Sequence, residues 1–195
     1  MSLLRPFSSC ATPTTLIMAR IQSPWSPHLP TALAARPYYT WLRERGSLTA
    51  RWQKSSGAFH VEPIRQAVQW PLADERAALG LPPRRLAWVR DVVLYCGATP
   101  VAFAHTATAV EPRGAVQRWL RQLGRRSLGT LLFSHPGFVR LGVDYAAIDA
   151  RHPLHRGIFA YGQAGQTYWA RRTLFAFGKQ RIALTEVFLP TVLDY

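Results

Sequence analysis

Lysine is nearly missing from this sequence: Lys54 and Lys179 are the only two, so arginine supplies almost all of the 24 basic residues set against 10 acidic ones. The formal charge of +14 gives a positive field that attracts anions, small or polymeric. None of the usual nucleic-acid modules accompanies it; Arg113, Arg118, Arg121, Arg125 and Arg126 form a cluster that reads as a solvated helix face, and no nucleic-acid partner is expected. Cysteine is scarce as well. Cys10 and Cys96 are too few for a disulfide scaffold and make no CxxC pair, which points to a reducing, cytoplasmic setting. The histidines form no HExxH pair; His152 and His155 lie in a loop-like stretch with Pro and Arg, read as solvated, and no metal site is expected. No uncharged apolar run reaches the ~18 residues that a membrane-spanning helix needs, so a soluble protein is expected. Acidic residues are absent before Glu44, where Ser, Thr, Pro and scattered Arg give the composition of a transit peptide, of a disordered leader, or of a chain translated from Met18. Residues 1–34 are therefore expected to be poorly ordered, with the domain spanning 35–195.

What is present supports one folded domain: 48% hydrophobic and 12% aromatic residues in a chain of 195. Two stretches organise it, LAWVRDVVLY from Leu86 to Tyr95 and IALTEVFLP from Ile182 to Pro190. Both are short, apolar, rich in β-branched and aromatic residues, and bounded by Pro or Gly, as strands are. Alternation puts Arg90 on the face of Trp88, Val92 and Leu94, and Glu186 on the face of Ile182, Leu184 and Phe188. Each strand thus points one charge into apolar surroundings. Such a charge is paired with its opposite in the core, sits at an exposed strand end, or holds a ligand.

The rest of the chain fits around these strands. Pro37 to Arg45 reads as a helix stopped by Gly46; Ser47 caps a second, LTARWQKSS, before Gly57. The two make a helix-turn-helix pair, which would cover something or, on a weaker reading, touch DNA. Ala58 to Ala67 reads as an edge strand interrupted by Pro63, and ADERAALG as one or two helical turns. VAFAHTATAV completes a hairpin with the Arg90 strand. Between Gly114 and Gly124, Val116, Trp119, Leu120 and Leu123 form one face of an amphipathic helix, and Ser127 opens another, LGTLLF. Phe138–Val143 and Thr167–Phe177 read as strands, the second turning at Gly178-Lys179 into the Glu186 strand. Asp144–Gly165 reads as irregular, with a short pairing at GIFAYG. The sum is an α+β domain with a mostly antiparallel sheet of five or six strands.

Taken together, WVRDVVLYCGATPVAFAHT, RRSLGTLLF, YWARRTLF and ALTEVFLP resemble the bacterial chorismate pyruvate-lyases, in order and spacing, over about residues 38–195. The resemblance implies a cofactor-free, cytoplasmic lyase that converts chorismate into 4-hydroxybenzoate and pyruvate, the first step of ubiquinone biosynthesis. It implies an antiparallel sheet of about six strands with helix-turn-helix flaps over an internal pocket. It carries ligand contacts onto Arg90 of WVRD, onto Leu128 of SLG through its backbone, and onto Glu186 of LTEVFLP. A further contact, through the backbone of a residue that is usually methionine, falls on Leu48. Arg90 and Glu186 are the residues on which catalysis would rest: the first for the ring carboxylate, the second for the ring hydroxyl. A monomer with no stable membrane insertion is expected. Arg171 and Arg172 would add positive potential or touch the pyruvyl carboxylate, and alternation allows only one of them to do so. The alternative is a non-catalytic sensing domain for an aromatic acid, since the same fold resembles the effector domains of some bacterial regulators.

Overall fold

The computed structural model describes residues 23–111, 114–163 and 165–195; Cys10, Met18 and Arg113 lie outside them. One antiparallel sheet is ordered β1-β2-β3-β6-β5-β4, built from β1 (Phe59–Gln69), β2 (Ala87–Cys96), β3 (Thr99–Ala109), β4 (Phe138–Ile148), β5 (Tyr168–Phe177) and β6 (Gln180–Phe188). β2 and β3 form the expected hairpin, β5 and β6 turn at Gly178, whose φ of 57° suits glycine, and β3 pairs with β6. The Arg90 and Glu186 strands therefore flank one central strand.

Apolar residues on both faces of the central strands require cover on both sides. One face carries α1 (Tyr39–Leu42), α2 (Leu48–Ser56), α4 (Ala115–Gln122) and α5 (Leu128–Ser134); their residues Leu42, Leu48, Trp52, Leu120, Leu128 and Leu132 share a core with Trp88, Val92, Leu94 and Leu184. The opposite face carries α3 (Ala73–Leu79) and α6 (Leu154–Ile158), against Val89 and Ala183 and against Val93, Phe103 and Val187. Ser47 caps α2 through Ala50 N–H, and Gly57 closes it at φ 63°. Trp52, fully buried, stacks between Trp41 at 5.5 Å and Phe59 at 6.0 Å. Removing roughly 200 Å² of indole from water contributes on the order of 5 kcal/mol to seating α2. In α4, Val116, Leu120 and Leu123 are buried as the periodicity implies, while the half-buried Trp119 meets the rings of His135, Phe138 and Phe177. Arg118, Arg121, Arg125 and Arg126 are exposed.

Three expectations are corrected. The stretch 144–165 is not irregular at its start: β4 continues to Ile148 after a register shift between Arg140 and Gly142, because the bulge restores the alternation that sends Ala146 and Ile148 into the core of α6. GIFAYG does not pair as a strand; it lies at the end of α6 and the turns after it, with Gly157 so close to the Phe103 ring that a Cβ would stand 2.8 Å from it. His152 and His155 are not solvated. His155 is buried, with Nε2 at 3.0 Å from Gln166 O, and His152 Nε2 lies 4.0 Å from Asp74. Of the leader expected over 1–34, residues 1–22 lie outside the described part; Trp25 packs beside the α6 core and donates Nε1–H to Asp74, and Ser26 bridges Tyr145.

Candidate active site

Arg90, Leu48, Leu128 and Glu186 line one small cavity beneath the flaps, together with Val61, Thr49, Thr106, Phe133 and Leu184. Arg90 pairs with Thr106, and Glu186 with Ala104 two residues earlier in β3, so the two Cα atoms stand roughly 12 Å apart from strand and residue spacings alone. The side chains between them are small, since β3 presents Ala102, Ala104 and Thr106 to this face. A flat ring lying across the middle strand would meet little steric resistance. The cavity measures about 20 Å³, room for one water, so a larger occupant requires the flaps to part.

Arg90 is a buried cation, 2% exposed, with no carboxylate partner among the described residues. Its Nη2 donates to Gly124 O at 2.7 Å and, at 3.3 Å, to Arg126 O, both from the turn that leads into α5. Its Nε is buried with no partner. Burial without a counter-charge pushes the guanidinium down to about 10, leaving it charged at neutral pH. A cation held this way by backbone oxygens while its Nε edge stays empty is arranged for an anion.

Glu186 is 6% exposed and is clamped by Arg171, which donates Nε–H at 2.9 Å and Nη2–H at 2.6 Å to the same oxygen, Oε2. The other oxygen is left to the cavity. Arg171 also donates from Nη1 to Glu44 O, in the turn between α1 and α2. Arg172 points the other way, to Asp74 at 3.0 Å and Asp144 at 3.1 Å, with Trp25 under its guanidinium. The two arginines thus face opposite sides of the sheet, and Arg171 acts on Glu186 as an ion-pair partner, a role sequence reasoning missed. The signal was present: counting outward from the Gly178-Lys179 turn sets Arg171 directly opposite Glu186.

The two flaps meet over the cavity at their starts. Thr49 Oγ1 and Ser127 Oγ are 2.5 Å apart, and Ser127 Oγ also accepts from Gly129 N–H. Leu48 and Leu128, the first residues of α2 and α5, close the roof with their side chains and present backbone N–H groups that no turn of helix satisfies. Outside this latch lies a surface groove of about 560 Å³ that shares Val61 and Ser127 with the inner cavity. Among the described residues no cluster of His, Cys, Asp and Glu is set to hold a metal, and no helix is long and apolar enough to cross a membrane.

A second polar cluster occupies the other face of the sheet. His105 is fully enclosed between Asp91, at 2.5 Å from Nδ1, and Glu75 of α3, at 2.6 Å from Nε2, the latter off the line of a good hydrogen bond. Arg65 pairs with Asp91 at 2.7 Å. Burial alone would lower His105, but the two carboxylates outweigh it and hold it up at about 10.

The family model described as Chorismate lyase matches residues 24–195. A protein from Dechloromonas aromatica named probable chorismate pyruvate-lyase is 48% identical over 153 residues, covering 78% of this chain and 86% of that one. One of the same name from Nitrosospira multiformis is 40% identical over 174 residues, covering 88% and 96%. Among solved structures, PhnF from Mycobacterium smegmatis aligns with a TM-score of 0.51 at 16% identity, over 76% of this chain and 65% of that one. A GntR-family transcriptional regulator from Bacillus cereus aligns at 0.50 and 10% identity, over 70% and 95%. These structural likenesses concern the fold.

Proposed function

The chain belongs to the chorismate lyase family, and we propose that its conversion of chorismate into 4-hydroxybenzoate and pyruvate, the first step of ubiquinone biosynthesis, is carried by Arg90 and Glu186 with the backbones of Leu48 and Leu128. The supporting observation is the buried Arg90, without a counter-ion among the described residues, lining a cavity that also holds Glu186. Chorismate is a dianion. A guanidinium offers two parallel donors to its ring carboxylate, and the Nε edge of Arg90 provides them once the weak contact to Arg126 O is given up. The Leu128 N–H adds a third donor. Glu186, its charge balanced by Arg171, accepts a hydrogen bond from the ring hydroxyl at the opposite end.

In the reaction the ether carbon–oxygen bond breaks and its electron pair leaves with the enolpyruvyl oxygen. The hydrogen lost from the hydroxyl-bearing carbon is matched by one gained at the methylene that becomes the pyruvate methyl, so the ring turns aromatic without an external oxidant. The drive lies in the substrate. The protein holds the reactive conformer, supplies charge complementarity and excludes water. This reading describes a cytoplasmic monomer that acts without a cofactor or a nucleic-acid partner.

Adding purified protein to chorismate should release pyruvate and 4-hydroxybenzoate in equal amounts; binding without turnover would instead indicate the sensing role. A closed pocket that fits the product also retains it. Competitive inhibition by 4-hydroxybenzoate is therefore expected below millimolar concentration, and its absence there would count against the enclosed site. Thr49→Val removes the contact that joins the flaps, and should raise the 4-hydroxybenzoate inhibition constant severalfold while leaving the melting temperature within a few degrees.

A further inference from the structure

Beyond Arg171, on the side away from the cavity, lies a groove of about 680 Å³ whose charged lining is Arg43, Glu44, Arg45 and Arg140, with Tyr145 and Val143 on its floor. Its one carboxylate is already engaged: Glu44 accepts from Gly46 N–H at 2.7 Å and pairs with Arg51 at 3.2 Å. The hydrogen bond from Gly46 holds that carboxyl below its ordinary range against partial burial, with Arg51 assisting. The three arginines are left with no matching negative charge in the groove. Arg140 donates from Nη1 to Arg45 O at 2.5 Å, and its Nε is buried with no partner.

The groove and the cavity are neighbours across a single side chain. Arg171 grips Glu186, which lines the cavity, and the carbonyl of Glu44, which lines the groove. Tyr145 of the groove floor is the strand neighbour of Arg171, and Arg171 that of Glu186. In chorismate the enolpyruvyl ether is attached to the carbon beside the one bearing the hydroxyl. With the ring carboxylate on Arg90 and the hydroxyl at Glu186, the side chain departs from the ring at the Glu186 end, the end at which Arg171 also lies.

On the site reading given above, we infer that this groove is the subsite for the second carboxylate of the substrate: Arg140 is the contact residue, Arg43 and Arg45 supply the field, and pyruvate leaves on this side. A carboxylate there would pair with the Arg140 guanidinium and offset the local excess of positive charge. The 4-hydroxybenzoate product has lost this group, so substrate and product separate the groove from the Arg90 anchor.

The experiment uses Arg140→Gln, Arg45→Gln and the double variant in steady-state assays with chorismate, each with 4-hydroxybenzoate as inhibitor. The KM for chorismate should rise at least fivefold in each single variant and more in the double, with kcat within about twofold and the 4-hydroxybenzoate inhibition constant unchanged. An unchanged KM, or a KM and an inhibition constant that rise together, would overturn the subsite. Arg45 is exposed, so Arg45→Gln supplies the same comparison should Arg140→Gln fail to fold. Failure of the lyase reading itself would be seen earlier and separately, as no pyruvate released by the unaltered protein.

Discussion

Arg90→Ala is expected to reduce kcat/KM for chorismate at least tenfold, about 1.4 kcal/mol of transition-state stabilisation, with Arg90→Lys nearly as damaging. A lysine ammonium carries the charge, but it cannot present two parallel N–H bonds to a carboxylate while also holding Gly124 O. Glu186→Ala should fall in the same range through loss of the acceptor for the ring hydroxyl, and it also leaves Arg171 buried without its carboxylate. Stability separates the two. Arg90 is a desolvated cation with no carboxylate partner among the described residues, so Arg90→Met removes a burden and should hold or raise the melting temperature while abolishing turnover. Steady-state kinetics with thermal melting of the same preparations test both halves. Wild-type rates in Arg90→Lys would refute the two-bond role.

His105→Leu should cost about 3–5 kcal/mol of folding stability, the range for removing one member of a buried ionic cluster, because Asp91 and Glu75 would remain enclosed without their shared cation. The unaltered protein should reveal the cluster through pH. His105 is held at about 10 against about 6.5 when unfolded. Its contribution is complete below pH 6.5 and is lost as pH rises toward 10. Asp91 and Glu75 have lowered values in spite of their burial, through His105 and, respectively, Arg65 and the Leu72 N–H. Their contribution is present above the ordinary carboxylate range and disappears as pH falls below it. Arg65 from β1, Arg172 from β5, and Asp74 and His152 at the edge of the cluster also carry or exchange charge nearby. Urea denaturation across pH 4 to 10 should show a plateau near neutrality falling on both sides, and His105→Leu should flatten the alkaline fall. An alkaline limb of equal size in the variant would assign it to other groups.

Much of this architecture could be read from residue order. The strands announced themselves by β-branched and aromatic content between Gly and Pro, and period-two alternation alone placed Arg90 and Glu186 among apolar neighbours. Ser47 and Ser127 marked the starts of both flap helices because a cap needs only a local hydrogen bond. The end of β4 was hidden, since its bulge at residues 140–142 breaks the alternation by which strands are recognised. The His105 cluster was hidden for a related reason. A register shift between Leu94 and Tyr95 offsets the β2–β3 pairing, so counting from the turn misplaces Asp91 by one residue, and Glu75 arrives from a separate helix. The groove beside Arg171 gathers residues from the turn after α1, from β4 and from the chain before α1, a convergence that no single stretch encodes. The run of small side chains in AFAHTAT, by contrast, lay in plain view as the floor on which a ring could rest.

Arg90 and Asp91 are consecutive, as are Arg171 and Arg172, and each pair sends one member to the cavity side and the other to the ionic layer behind the sheet. Inserting or deleting one residue inside β2 or β5 would exchange these assignments, bringing an acid where the carboxylate should bind and a guanidinium against Glu75 or the α6 core. Changes of length should therefore be tolerated in exposed connections such as 82–86, and excluded from these two strands even where individual side chains vary freely.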